Sequence, residues 1–248
     1  MTRDGILALI SEDVRLRGLK REIEMKGRES GVADPSYDPS HDMAHSIRVA
    51  NWTIQLGQGR LDPASVIAAA LLHDIVNVPK NSPDRARASE LCAEAAAEML
   101  LRHGFTPAET TEICDAIRDH SYSRGVKPAK NLGKCLQDAD RLESLGSIGI
   151  MRAISTGVLM KTKFFDPNDP WAQRRSLDDQ AFSIDHFFCK LFKLPELMNT
   201  SAGRLEADRR LEMMKGFLKE LGEEIGDPLR PSSHRMPAAS LARDLGHS

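Results

Sequence analysis

The chain has little that would tie it to a membrane, an oxidising compartment or a nucleic-acid polymer. Its longest unbroken apolar run, Val66 to Leu72, falls far short of the roughly 20 residues that span a bilayer. Four cysteines (Cys92, Cys114, Cys135 and Cys189) include no pair in CxxC spacing. Neither a disulfide frame nor a thiolate zinc site is therefore expected, and free thiols point to a reducing compartment. No excess of charge is present either: 34 Lys plus Arg against 36 Asp plus Glu leave −2. That balance argues against a partner held by a basic field, such as a nucleic-acid polymer. The opening Met1-Thr2-Arg3-Asp4 has one base, an early acid and no long apolar core, so no secretory signal is expected. The expected location is cytoplasmic. Internal repeats, low-complexity tracts and strand-type alternation are missing too.

What the chain does have is helix punctuation. With 41% hydrophobic and 28% charged residues, it has the composition of a soluble globule, and its 248 residues are ample for one core. Ser40 precedes a run from His41 to Leu56 that closes at Gly57 and Gly59, which predicts a capped helix with a glycine stop. Asp62-Pro63 predicts a helix through Leu72, because proline is pre-set for the first helical position. Thr106-Pro107-Ala108-Glu109 is a capping box that opens a helix running to about His120. Further helices are predicted over 3–26, 87–103, 131–146, 180–194 and 202–225. The fold expected is all-α, in one domain over 1–225. The tail 226–248, with Pro228, Pro231, Pro237 and paired serines, is expected to be disordered.

The histidines and aspartates carry the chemistry. His41, His45, Val49, Trp52 and Leu56 share one helical face, so His45 lies on an apolar stripe. Taken alone it reads more readily as a core histidine with a hydrogen-bond partner. His73-Asp74 changes that weighting. The segment Val66–Leu72 is apolar all round, so its helix is predicted to be buried, and it ends in an imidazole beside a carboxylate. An unpaired carboxylate there is costly, and a bound cation would offset the cost. Leu132, Leu136 and Asp140 are spaced by four, which turns Asp140 inward. Asp138 points about 160° away on an ideal helix and is expected on a solvated face. His45, His73, Asp74 and Asp140 thus converge as two imidazoles and two carboxylates.

This pattern resembles the HD-domain metal-dependent phosphohydrolase superfamily. The contexts are His45-Ser46-Ile47-Arg48-Val49-Ala50, Ala70-Leu71-Leu72-His73-Asp74-Ile75 and Gln137-Asp138-Ala139-Asp140-Arg141-Leu142. The likeness extends to a subgroup of small stand-alone bacterial HD hydrolases through Asp119-His120-Ser121-Tyr122-Ser123, Leu145-Gly146-Ser147-Ile148-Gly149 and Asn199-Thr200-Ser201-Ala202-Gly203-Arg204. It covers roughly 20–225 and implies a helical bundle, with a metal-site core over about 38–160 and C-terminal helices over about 180–225 packed on it. It also implies one divalent cation held by His45, His73, Asp74 and Asp140. Members that hydrolyse the stringent-response alarmone carry Glu-Asp shortly after the HD pair. Asn77 and Val78 stand there instead, so alarmone hydrolysis is not expected.

Around that centre, Ile113, Ile117 and His120 fall on one face, which makes His120 the candidate for proton transfer or for a second ion. Lys80 and Arg85, in the loop after the HD pair, are the candidates for holding phosphate, with Arg87 nearby. His103 precedes a helix-ending glycine and reads as a dipole partner. His186 with Lys190, and Arg204 with Arg209, are weaker candidates for a basic rim. The expected activity is hydrolysis of a small phosphorylated substrate, first a nucleotide. Pyrophosphate and orthophosphate release look alike in sequence. Mixed His and carboxylate ligation suits Mn²⁺ first, with Fe²⁺, Co²⁺, Ni²⁺, Mg²⁺ or Zn²⁺ as alternatives. Two other readings stand beside it: a di-iron HD-type oxygenase using His103 and His120, and a non-catalytic nucleotide- or metal-binding sensor.

Overall fold

A computed structural model of the chain describes residues 2–29, 42–76, 78, 87–121 and 124–229. Among the described residues there are ten α-helices, one isolated bridge between Lys163 and Phe182, and no strand. None of those helices is long and apolar enough to cross a membrane. All four cysteines are free thiols. The chain divides into two compact units, Met1–Glu143 with Asn199–Gly203, and Ser144–Met198 with Arg204–Ser248.

The first unit holds α1 (Arg3–Glu12), α2 (Val14–Glu29), α3 (Met43–Gly57), α4 (Pro63–Leu72), α5 (Ala88–Arg102), α6 (Pro107–Asp119) and α7 (Asn131–Glu143). α4 is its centre. Asp62 caps it by accepting from Ser65 N–H at 2.8 Å, and Pro63 pre-sets its first turn. A helix that is apolar all round must be wrapped, and α1, α2, α3, α5, α6 and α7 all contact it. Val66 through Ala70 have no exposed surface at all. The Thr106–Glu109 capping box opens α6 as the sequence predicts.

Two boundaries in this unit differ from expectation. The predicted helix over 3–26 breaks at Asp13, whose carboxylate accepts from Arg15 N–H at 2.8 Å and so starts α2. The cap of α3 is Asp42, not Ser40, and the helix closes with Gln58 in the left-handed region. Ser40 and His41 lie outside the described residues.

The second unit contains α8 (Gly146–Leu159), α9 (Asp185–Cys189), a 3-10 helix over Leu191–Leu197 and α10 (Ser201–Glu224) from its second turn onward. The predicted helix over 131–146 therefore ends at Glu143. Gly146 takes φ +72 and the chain restarts as α8, an unpredicted helix. Its glycines and β-branched Ile148, Ile150, Ile154 and Val158 weaken the helical signal. The predicted helix over 180–194 shrinks to five residues followed by 3-10 turns. Buried Asp185 accepts from Asp178 N–H and from both terminal nitrogens of Arg175, and these bonds hold the preceding chain in a turn. Phe187, Phe188 and Phe192 are core, with Phe187 stacked on Phe217. Gly226–Leu229, expected in a disordered tail, is ordered: Asp227 C=O accepts from the Trp171 indole at 2.7 Å, and Leu229 is buried. Residues 230–248 lie outside the described residues.

Asp138 overturns its predicted solvated face, because the carboxylate has no exposed surface. Its Oδ1 accepts from Asn199 N–H and Nδ2, and its Oδ2 from Thr200 N–H and Oγ1, all at 2.8–2.9 Å. These bonds cap the start of α10 with a carboxylate from α7 and restrain the helix that carries Asp140. Gly203 is needed for the approach, since a Cβ there would fall 2.6 Å from Asp138 Oδ2. Asp138→Ala strands four donors. It is expected to cost on the order of 3 kcal/mol, with a Tm lower by roughly 6–12 °C in a far-UV circular dichroism melt.

Candidate metal centre

Three pieces of the first unit bring four ligand-type side chains together. His45 lies in the first turn of α3, with its backbone N–H donating to Asp42 at 2.7 Å. His73 and Asp74 follow the last turn of α4, the helix end that favours positive charge. Asp140 lies on α7, on the face that the Leu132–Leu136 spacing predicts. His45 and His73 are fully buried, whereas Asp74 keeps 36% of its side-chain surface exposed. Asp74 therefore marks the open side of the cluster.

The tautomers follow from the partners. His73 Nδ1 lies 2.8 Å from Ala70 C=O, a pure acceptor, so that nitrogen carries a proton. His45 Nδ1 likewise faces the Glu143 carboxylate at 3.3 Å. Both imidazoles in their neutral form then present a bare Nε2, and these two nitrogens face each other at 3.3 Å. Two lone pairs at that distance repel unless a proton or a cation lies between them. His73 Nε2 is 3.2 Å from Asp74 Oδ2, and His45 Nε2 is 3.6 Å from Asp140 Oδ1. The longer pairs are His73 with Asp140 at 3.9 Å and His45 with Asp74 at 4.0 Å. Donors about 2.1 Å from one ion are roughly 3.4 Å apart at tetrahedral angles, and roughly 3.0 Å (cis) or 4.2 Å (trans) apart at octahedral ones. His45, His73 and Asp140 group closely enough to hold one ion, and Asp74 groups with His73 and with His120, so all four fit a single cation once Asp74 and Asp140 close on it.

Electrostatics lead to the same fit. Burial works against a charged His73, yet Asp74 and then Asp140 outweigh it and hold the imidazole up to about 9. Burial also opposes charge on the two aspartates, but His73 keeps Asp74 well below the usual carboxylate range and keeps Asp140 lowered. The cation-free cluster thus keeps a proton where a metal would bind. Because the folded value exceeds the ordinary 6.5, the proton's contribution to stability is complete below 6.5 and is lost as pH rises through about 9. A metal must displace that proton. Mn²⁺ binding at pH 7.5 is therefore expected to release close to one proton per site, and affinity is expected to rise from pH 6.5 to 9. Calorimetric titration in buffers of different ionisation enthalpy checks both.

Residues 43–145 match the HD domain family model, a span that contains all four ligand-type residues. Bacillus subtilis YpgQ, an uncharacterised protein, is 30% identical over 190 residues, which cover 75% of this chain and 84% of YpgQ. This chain belongs to the HD-domain family. A structure of B. subtilis YpgQ in complex with ADP is similar to it at TM-score 0.62 and 27% identity, over 85% of this chain and 96% of that one. A structure of an HD-superfamily hydrolase from Bacillus thuringiensis is similar at TM-score 0.61 and 26% identity, over 86% of this chain and 98% of that one.

In this HD protein His120 joins the cluster. It follows α6, donates from Nδ1 to Ile117 C=O at 2.6 Å, and brings Nε2 to 3.7 Å from Asp74 Oδ1. Its ring stands edge-on to His73, with centroids 5.1 Å apart. His103 does not join. It ends α5 and sets Nε2 on Glu22 at 2.8 Å, the helix-end role read from sequence. Arg87 meets Glu90, His186 meets Asp179, Arg204 meets Asp208 and Arg209 meets Glu206. Lys80 and Arg85 lie outside the described residues. Sequence reasoning missed two residues, Glu143 and Arg48. Each lies three positions after a ligand-type residue, one turn along the same helix, and that spacing was the available signal.

Proposed function

We propose that this HD protein is a metal-dependent phosphohydrolase acting on a small phosphorylated substrate, with a nucleotide as first choice. The observation that carries the reading is the pair of Nε2 atoms 3.3 Å apart, flanked by Asp74 and Asp140 and open to solvent on the Asp74 side. His45, His73, Asp74 and Asp140 hold the cation, with Mn²⁺ as first choice. When bound, such a cation lowers the pKa of water and polarises a phosphoryl oxygen. His120 Nε2 moves a proton at the Asp74 side, since its Nδ1 is committed to Ile117 C=O. Lys80 and Arg85, six and eleven residues after Asp74 in the sequence, neutralise phosphate charge. The ADP held by YpgQ supports a nucleotide over other phosphate esters.

The test is a panel of nucleoside mono-, di- and triphosphates supplied with Mn²⁺ and scored separately for orthophosphate and pyrophosphate, with metal content measured on the same sample. Release of either product with one metal per chain is expected, and the product names the subclass. A second reading rests on His73, Asp74 and His120, which also group closely enough to hold an ion. Two irons per chain with an oxygen-dependent optical change and no phosphate release would favour the di-iron oxygenase.

A further inference from the structure

Behind His45 lies a buried ion pair that the four ligands do not explain. Glu143, at the end of α7, has a side chain only 1% exposed. Its Oε2 receives two donors, His45 Nδ1 at 3.3 Å and Arg48 Nε at 2.7 Å. Burying a carboxylate this deeply is unfavourable unless its charge is used. Both donors come from α3, one turn apart, so Glu143 ties the last turn of α7 to the first turn of α3. It does so at the histidine that must present Nε2.

We propose that Glu143 is a positioning residue for the metal centre, with Arg48 as the residue that holds it in place. Glu143 fixes the proton of His45 on Nδ1, so the ring cannot turn or tautomerise away from the cation, and its negative charge makes Nε2 a stronger donor. Arg48 has a side chain 34% exposed, so its guanidinium is partly hydrated while Nε pins the buried oxygen. The pair also sets the local charge. Asp74, Asp140 and Glu143 against Arg48 leave two negative charges around neutral imidazoles, matched to a divalent ion. The inference rests on the metal-centre reading above and adds a residue that touches neither metal nor substrate.

The test is Mn²⁺ titration of the full-length, metal-stripped chain, with free Mn²⁺ followed by electron paramagnetic resonance. Glu143→Gln keeps the shape and removes the charge. It is expected to raise the Mn²⁺ Kd by about 10- to 100-fold while the metal-free melt stays near that of the parent. In Zn²⁺-loaded protein the His45 Nδ1–H proton resonance is expected to move upfield, because a carboxamide is a weaker acceptor than a carboxylate. Parent-like Mn²⁺ affinity in Glu143→Gln overturns the proposal and leaves the metal centre standing. A parent chain that binds no divalent cation overturns the metal centre and this proposal with it. If Glu143→Gln does not fold, Arg48→Gln at the half-exposed partner decides. A Kd raised about threefold or more supports the pair, and an unchanged Kd overturns it.

Discussion

His73→Ala is expected to leave a helical chain that retains no divalent cation and turns over its phosphorylated substrate at least on the order of 1,000-fold more slowly. The size follows from what His73 does in the cluster. Its Nε2 lies within 4 Å of the other three ligand-type groups, at 3.3, 3.2 and 3.9 Å from His45, Asp74 and Asp140. Alanine removes one imidazole donor and also the group that most strongly keeps both aspartates ionised. Those carboxylates would then face each other with less compensation and would bind protons more readily, in competition with the metal. Metal content after desalting and kcat/KM on the best substrate of the panel check the two halves separately. A His73→Ala protein with parent-like metal content would remove His73 from the ligand set. Full activity without metal would remove the metal from the reaction.

The parts of this centre that were legible in the sequence are those decided locally. The capping residues Asp62 and Thr106, with the prolines after them, act within one turn, so α4 and α6 start where expected. The all-round apolar run before His73 determines burial without knowledge of any partner, and periodicity alone turns His45 and Asp140 inward. Asp138 shows the limit of that reasoning. Helical spacing told that it points away from Asp140, and water was the simplest occupant of that side. The actual occupants are Asn199 and Thr200, 61 and 62 residues further along the chain, and no periodicity within α7 announces them. α8 was missed for a different reason: glycine and β-branched residues make its propensity poor, so neighbouring structure must stabilise it. Glu143 and Arg48 were within reach, because each repeats the position of a ligand one turn on. What was lacking was the requirement that a buried ligand histidine needs a partner for its second nitrogen.

His120→Gln is expected to retain its metal and to lose about 100-fold in kcat, with KM changed far less. Gln has nearly the length of the imidazole and can still hydrogen-bond, but its amide cannot act as an acid or a base. The geometry leaves one nitrogen for that task. Nδ1 is held by Ile117 C=O at 2.6 Å, so Nε2, beside Asp74 Oδ1 at 3.7 Å, is the atom that can serve a substrate oxygen or a water at the open side. The contrast with His73 lies in the distances: His120 Nε2 contacts one aspartate, whereas His73 Nε2 contacts both aspartates and His45. Metal content and kcat therefore separate the two roles that sequence periodicity left open for His120. A loss of kcat with the metal retained makes His120 the proton-transfer residue. A parallel loss of a second equivalent of metal makes it a ligand, through the grouping of His73, Asp74 and His120, and the chemistry then shifts toward a two-metal site.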